Sequence, residues 1–256
     1  MADLGAIVRY LDEELRTTEV PDSDLALNGL QLANSGGVSR IAAAVDFSLD
    51  TVTAALSERA QLLLVHHGMF WRQQRLVGAA HERLRLAFAN DLAVYSSHIP
   101  LDLHPSLGNN CLLAKALRLT ADGTFGRYKG LEIGVMGSCD LPTATLLERV
   151  REFSARFATA AVSTPFEGGR NTRRWAIITG AGASSDTLGE ALDRGVDTLI
   201  VGEGAHHTAV QAMEDRTVVI YAGHYATETL GVRALAETVS KRFDVPWSFV
   251  NVPTGL

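Results

Sequence analysis

Residues 62–67 read LLLVHH, four consecutive apolar side chains from Leu62 to Val65 that run directly into the pair His66-His67. A run of four bounded by polar residues fits a strand covered on both faces, the pattern of a parallel sheet. The flanking sequence repeats this style. IAAAVDF (41–47) predicts a strand, Ser48 to Ala60 a helix, HERLRLAFAND (81–91) a helix and LAVYSS (92–97) a strand. Upstream, Leu4, Ile7, Val8, Leu11 and Leu15 recur at helical spacing. Downstream come a helix at CLLAKALRL (111–119), a strand at LEIGVMGS (131–138), a helix from Thr143 to Phe157 and a strand at WAIITG (175–180). A helix over 185–194, strands DTLIVG (197–202) and TVVIYAG (217–223), and a last helix from Thr227 to Arg242 complete the pattern. Strands alternating with helices of this length predict an α/β protein with largely parallel sheets. The Gly-rich, polar stretch ADGTFGRYKG (121–130) predicts a boundary between two lobes, 1–122 and 123–256. FEGGRNTRR (166–174) reads as a polar, basic loop.

The 256 residues are 46% hydrophobic and 20% charged, a balance that excludes disorder, collagen-like structure and a coiled coil. A net charge of −6 argues against a dedicated nucleic-acid binder. No apolar run reaches the ~18 residues of a transmembrane span, and MADLGAIVRYLDEEL lacks the features of a signal peptide. Cys111 and Cys139 are too few for a disulfide framework or a thiolate zinc site. A reducing, cytoplasmic setting is the expectation.

Six of the eight histidines follow apolar strand patterns. LLLV ends in His66-His67, AVYSS in His98 and VIYAG in His224, and LIVGEGA runs to His206-His207. In open parallel sheets the carboxyl ends of strands line the binding crevice, so distant segments converge there. Asp102 follows His98 by four residues across the Pro100 turn, and Glu228 follows His224 by four, a spacing that lets His224 and Glu228 face one side of a helical turn. A lone His-His pair is usually an ordinary surface or core feature. Three strand ends, each with a His and two with an acid four residues on, point instead to metal binding by Zn, Fe, Mn, Co or Ni. An adjacent pair at a strand end can also turn its rings apart, toward two ions. His81 and His104 read as non-functional, and His206 and His207 are not counted as ligands, their role left open.

The segments NGLQL (28–32), VHHGMFW (65–71), SSHIPLDLHPSLGNN (96–110), GAGASS (180–185), VGEGAHHTA (201–209) and AGHYATETLGVRAL (222–235) occur in the order of a known family. The chain resembles the Nif-three-like (NGG-one-interacting factor three-like) dinuclear-metal proteins, whose bacterial members are often labelled GTP cyclohydrolase I type 2 homologues. The resemblance implies a three-layer α/β fold of two related lobes without an inserted middle domain, and a metal site between the lobes at strand C-terminal ends. It implies the ligands His66, His67, Asp102, His224 and Glu228. Glu228 would bridge two divalent cations, with His67 and Asp102 on one ion and His66 and His224 on the other. It also implies a toroidal homohexamer.

The acids Asp102 and Glu228 would leave two divalent cations net positive, which favours a small anionic substrate. His98 is the candidate catalytic residue, a proton shuttle whose ordinary pKa of ~6.5 lies near working pH. An orienting hydrogen bond is its structural alternative. The turn GAGASS offers backbone N–H groups for an anion or is a plain tight turn. Arg170, Arg173 and Arg174 form a basic loop cluster, and Phe70 and Trp71 read as packing beside the site. Two functions fit these residues. One is a metal-dependent hydrolase acting on a nucleotide or another phosphorylated or cyclic-amide compound. The other is a non-catalytic metal carrier, sensor or metal-dependent scaffold.

Overall fold

The computed structural model describes residues 1–71 and 75–256. The chain forms two compact units, Met1–His104 with Gly231–Val252, and Pro105–Leu230 with Pro253–Leu256.

The first unit opens with β1 (Ala2–Asp3), α1 (Leu4–Leu15), β2 (Gly29–Leu32) and β3 (Gly37–Val38). It continues with β4 (Ile41–Asp46), α2 (Leu49–Ser57), β5 (Leu62–His67), α3 (Ala79–Ala89), β6 (Ala93–Ser96) and the single turn α4 (Ile99–Asp102). Strand β13 (Trp247–Phe249) returns to it and pairs parallel with β4. The five-stranded sheet has the order β13-β4-β5-β6-β2, parallel except for β2. Side chains alternate across a strand. One face, carrying Ala42, Ala44, Leu63, Val65 and Val94, packs on Val52 and Ala55 of α2 and Ala87 of α3. Tyr95 has the opposite parity and reaches α1, donating its hydroxyl to Asp12 Oδ1 at 2.8 Å. Helix α1 buries the stripe Leu4, Ile7, Leu11 and Leu15. Ser48 and Thr51 form a reciprocal capping box that starts α2 at the end of β4.

The second unit contains α5 (Asn109–Ala116), β7 (Gly123–Tyr128), β8 (Leu131–Pro142), α6 (Thr143–Ala155), β9 (Val162–Ser163) and β10 (Asn171–Ile178). There follow α7 (Ser185–Asp193), β11 (Thr198–Val201), α8 (His206–Glu214), β12 (Val218–Tyr221) and the start of α9 (His224–Phe243). Its six-stranded sheet has the order β7-β8-β10-β11-β12-β9. Only β10, β11 and β12 run parallel to one another, so this sheet is mixed where the sequence predicts a largely parallel one.

The stretch 121–130 accounts for one of the three antiparallel pairings, that of β7 with β8, beside β8 with β10 and β9 with β12. It is an edge strand and a hairpin turn, not a lobe boundary. Lys129 and Gly130 both take positive φ (46° and 84°), as a two-residue turn of primed type requires. The division between units accordingly falls at 104/105 and not near 122. Asn110 on α5 ties its segment to the second sheet: its Nδ2 donates to Ile133 O at 2.7 Å, and its Oδ1 accepts Thr179 N at 2.8 Å. The basic loop is also shorter than predicted, because β10 begins at Asn171. Among the described residues no helix is long and apolar enough to cross a membrane.

Glu190 of α7 secures the edge strand β7. Its carboxylate accepts Gly126 N at 3.2 Å, Arg127 N at 2.9 Å and Arg194 Nη1 at 2.8 Å. Burial opposes its ionisation, but these donors outweigh burial and hold its pKa below the ordinary 4.5. Glu190→Ala strands two backbone donors and is expected to lower unfolding stability by about 1–3 kcal/mol at neutral pH, measured by urea denaturation. A lowered carboxyl pKa contributes stability above the unfolded value and loses it on acidification. The deficit should therefore shrink as pH falls below 4.5. An unchanged midpoint at neutral pH would contradict this anchoring.

Candidate metal centre

In the first unit the parallel register builds the site. Asp46 and His67 are register partners at the carboxyl ends of β4 and β5, so their side chains stand side by side on one face. Asp46 Oδ1 lies 2.8 Å from His67 Nδ1. On the other side of β5, Val65 pairs with Ser96, which brings His66 to Ser97, and His66 Nδ1 lies 2.8 Å from Ser97 O. The two rings are thus tied to opposite neighbouring strands. Their centroids lie 4.9 Å apart with the ring planes at 45°.

His98 follows β6 and caps α4. Its Nδ1 lies 2.8 Å from Asp22 Oδ1, and its backbone N donates to Asn28 Oδ1 at 2.8 Å. Asp22 Oδ2 also accepts Ile99 N at 3.0 Å and Asn28 Nδ2 at 2.8 Å. Burial opposes Asp22 ionisation, but His98, Asn28 and the Ser23 N–H outweigh it and hold the carboxyl down at about 2. The four-residue α4 then sets Asp102, whose Oδ2 lies 3.5 Å from His66 Nε2. One ligand atom each from His66, His67 and His98 lies within 4.8 Å of the other two. The ring of Trp71 stands edge-on to His67 at 5.3 Å and to His98 at 4.8 Å, consistent with a packing role, while Phe70 is 47% exposed.

In the second unit His224 begins α9 three residues earlier than the pattern predicts, and Glu228 lies one turn on. His224 Nε2 and Glu228 Oε2 are 3.1 Å apart. His224 Nδ1 lies 2.8 Å from Glu203 Oε1 in the loop after β11. Burial works against a charged imidazole here, but Glu228 and Glu203 outweigh it and raise the His224 pKa to about 9. Such a strongly negative surround suits a cation.

All four imidazoles share one construction. Nδ1 faces an oxygen at 2.8 Å, which places a proton there and leaves Nε2 as the ligand nitrogen, available in His224 once that ring has lost its second proton. Histidine ligands of metals are built this way, with an oxygen acceptor behind the ring fixing tautomer and direction. Imidazole nitrogen and carboxylate oxygen are the donor set of Zn, Fe, Mn, Co and Ni, so the residues present fit such an ion. Asp46, Asp22 and Glu203 do not stand out in the sequence. For Asp46 the usable signal is the matched length of the strand patterns ending at 46 and 67.

Four of the six N–H groups of the turn GAGASS are engaged within the protein. The N–H of Gly180 donates to Thr227 Oγ1 at 3.1 Å, that of Gly182 to Gly180 O at 2.9 Å, and that of Ala183 to Glu203 O at 3.3 Å. Ser184 N donates to Thr187 Oγ1 at 2.9 Å within the α7 capping box. The turn makes room for an acid. Gly180 has φ +64°, and a Cβ there would collide with Glu228 Oε1. The basic cluster is largely engaged as well. Arg170 donates to Thr143 Oγ1 and Thr198 Oγ1 at 2.8 and 3.1 Å, and Asp197 Oδ2 accepts the backbone N–H of Arg173 and Arg174. His206 and His207 are exposed in the first turn of α8, and His104 faces Glu14 at 3.2 Å.

Fold and side chains together define an α/β protein with a candidate metal site. A family model described as Duf34/NIF3 (NGG1p interacting factor 3) matches residues 2–254, and the chain belongs to that family. A Deinococcus radiodurans protein named GTP cyclohydrolase 1 type 2 homolog is 42% identical over 253 residues, covering 98% of this chain and 93% of that one. A Pyrococcus abyssi protein of the same name is 40% identical over 252 residues, covering 98% of each. The solved structure of ybgI, described as of unknown function, matches with TM-score 0.88 and 30% identity, covering 99% of this chain and 100% of that one.

Gly180→Ala tests the room left for Glu228. The added methyl both strains a left-handed backbone and displaces the carboxylate. Metal content by elemental analysis is expected to fall in a variant that remains folded by circular dichroism. Full metal content would show that Glu228 Oε1 need not occupy this place.

Proposed function

We propose that His66, His67, Asp102, His224 and Glu228 hold two divalent metal cations, and that the protein is a metal-dependent hydrolase of a small anionic compound. The observation that supports this most is the common anchoring of the imidazoles, each Nδ1 at 2.8 Å from an oxygen. Such rings need no reorganisation to accept an ion. When bound, a pair of cations supplies Lewis acidity and activates water for attack on phosphoryl or carbonyl carbon centres.

The chain's own residues set the charge balance. Asp102 and Glu228 contribute −2 against +4, which leaves an attraction for phosphate groups. In this reading Glu228 serves both ions, held in place by the gap at Gly180. Asp46 and Glu203 keep His67 and His224 aimed. A cavity of about 380 Å³ in the second unit is lined by Gly202, Glu203, Gly204, His206 and Tyr221 among others. It is of the size that small molecules occupy, and it adjoins Glu203, the acid behind His224. The name of the relatives, GTP cyclohydrolase 1 type 2 homolog, supports a nucleotide or cyclic-amide substrate. Self-association as a toroidal homohexamer belongs to the same reading.

The test is elemental analysis of the purified protein joined to turnover assays on a panel of nucleotides and phosphoesters. Glu228→Ala removes a donor from both ions and should cost at least one ion per chain. Unchanged metal content in that variant would refute the bridging role. Metal without turnover on any member of the panel would return the carrier or sensor reading.

A further inference from the structure

A second cavity of the second unit opens at the amino end of β12, the end of that strand opposite to His224. Its volume of about 510 Å³ lies in the range of small-molecule sites. Phe166, Glu167, Arg170, Met213, Arg216 and Val218 line it. We propose that this cavity binds a small zwitterion with an apolar side chain, the chemistry of a free α-amino acid or a dipeptide. Glu167 would take the ammonium group and Arg216 the carboxylate. None of these residues belongs to the metal centre, and binding here needs no metal.

Charge decides the class of ligand. Among the described residues Glu167 makes no side-chain hydrogen bond or ion pair, and neither does Arg216. Arg170 differs. Its Nη1 donates to Thr143 Oγ1 and Thr198 Oγ1 at 2.8 and 3.1 Å, and its Nη2 lies 3.3 Å from Asp197 Oδ1. Asp197 thus offsets its charge, and one anion and one cation remain unpaired on the cavity wall. A phosphate-like dianion would gain a single guanidinium and meet repulsion from Glu167. A lone cation would meet repulsion from Arg216. An uncharged apolar molecule would take water from both groups and return no hydrogen bond. A zwitterion answers both, each with a charge-assisted hydrogen bond.

The backbone under both charges is held. Glu167 opens a turn in which Arg170 N donates to Glu167 O at 3.3 Å, with Gly169 at φ +81°. The Arg170 guanidinium pins this turn to Thr143 at the start of α6 and Thr198 at the start of β11. Arg216 follows α8 in the left-handed conformation, φ 57°, and Thr217 N donates to Ala212 O at 2.9 Å to close the helix. Apolar groups supply further contact. Val218 is buried and Phe166 half-buried, while Met213 is 54% exposed. A methionine side chain adapts to many shapes, and a ligand side chain laid on it removes apolar surface from water.

The experiment follows methionine methyl resonances of the full-length protein as purified. The four methionines are Met1, Met69, Met136 and Met213. L-leucine or leucyl-leucine should shift the Met213 signal saturably and leave that of Met69, two residues past His67, in place. The tighter of the two ligands separates an amino-acid site from a dipeptide site. N-acetylleucine lacks the ammonium group and leucinamide the carboxylate. Each should bind roughly 10–100-fold more weakly than leucine, the loss expected for one charged hydrogen bond. Glu167→Gln should weaken leucine by a similar factor and leave N-acetylleucine unchanged. Arg216→Gln should weaken leucine and leave leucinamide unchanged. Glu228→Ala should retain leucine binding. A Met213 signal unmoved by either zwitterion at about 10 mM would overturn the proposal. So would titrations indifferent to both substitutions, or inorganic phosphate that binds more tightly than leucine. Leucine binding lost in Glu228→Ala would place the ligand on the metal and equally overturn it.

Discussion

The site depends on one constraint, that a histidine offers a lone pair in a fixed direction only when its other nitrogen is held. An imidazole at a strand end has two χ angles and two tautomers. An oxygen at 2.8 Å from Nδ1 removes most of both freedoms at once. The free energy of ordering the ring is then paid in folding, before any ion arrives. The carboxylates behind His67, His98 and His224 also raise the electron density on the donor nitrogen.

The sheets exist to deliver these oxygens. In the first unit, parallel pairing in register aligns Ile41 with Leu62 and carries the alignment to Asp46 and His67. Alanines at 42, 43 and 44 and apolar residues at 62–65 bury the strands on both faces, and a slip of one residue would send every side chain of a strand, Asp46 or His67 included, to the opposite face. The second unit uses the loops just past β11 and β12 for Glu203 and His224. The separation along the chain is 21 residues in both cases, from Asp46 to His67 and from Glu203 to His224. One strand–helix–strand passage of fixed length thus places an acid behind an imidazole twice, and gives substance to the strand-then-His endings that both halves share.

Much of this was legible in the sequence. The apolar runs at 41–47, 62–65, 92–97, 197–202 and 217–223 predict strands that the structure contains. Strand ends followed by His mark the residues that the structure gathers in each unit. The Gly-rich stretch 121–130 misled because an edge strand with one exposed face and a glycine turn has the composition of a loop. The parallel character of the second sheet was overestimated because β7 and β8 form a hairpin, and β8 and β9 also run antiparallel to β10 and β12. The anchors were out of reach for a different cause. Asp22 meets His98 across 76 residues by way of a loop with no periodicity, and the turn at 180–185 left an anion cradle and a plain tight turn both open, since the sequence does not show which acceptors its N–H groups meet.

One anchor differs from the rest. His66 is held by the carbonyl of Ser97, a main-chain atom, whereas the other three are held by side chains. A carboxylate can be lost or exchanged by a single codon change, and the imidazole it serves is retuned or released. No replacement at position 97 removes a peptide oxygen. His66 is therefore the one imidazole of the four whose anchor does not depend on the identity of a side chain.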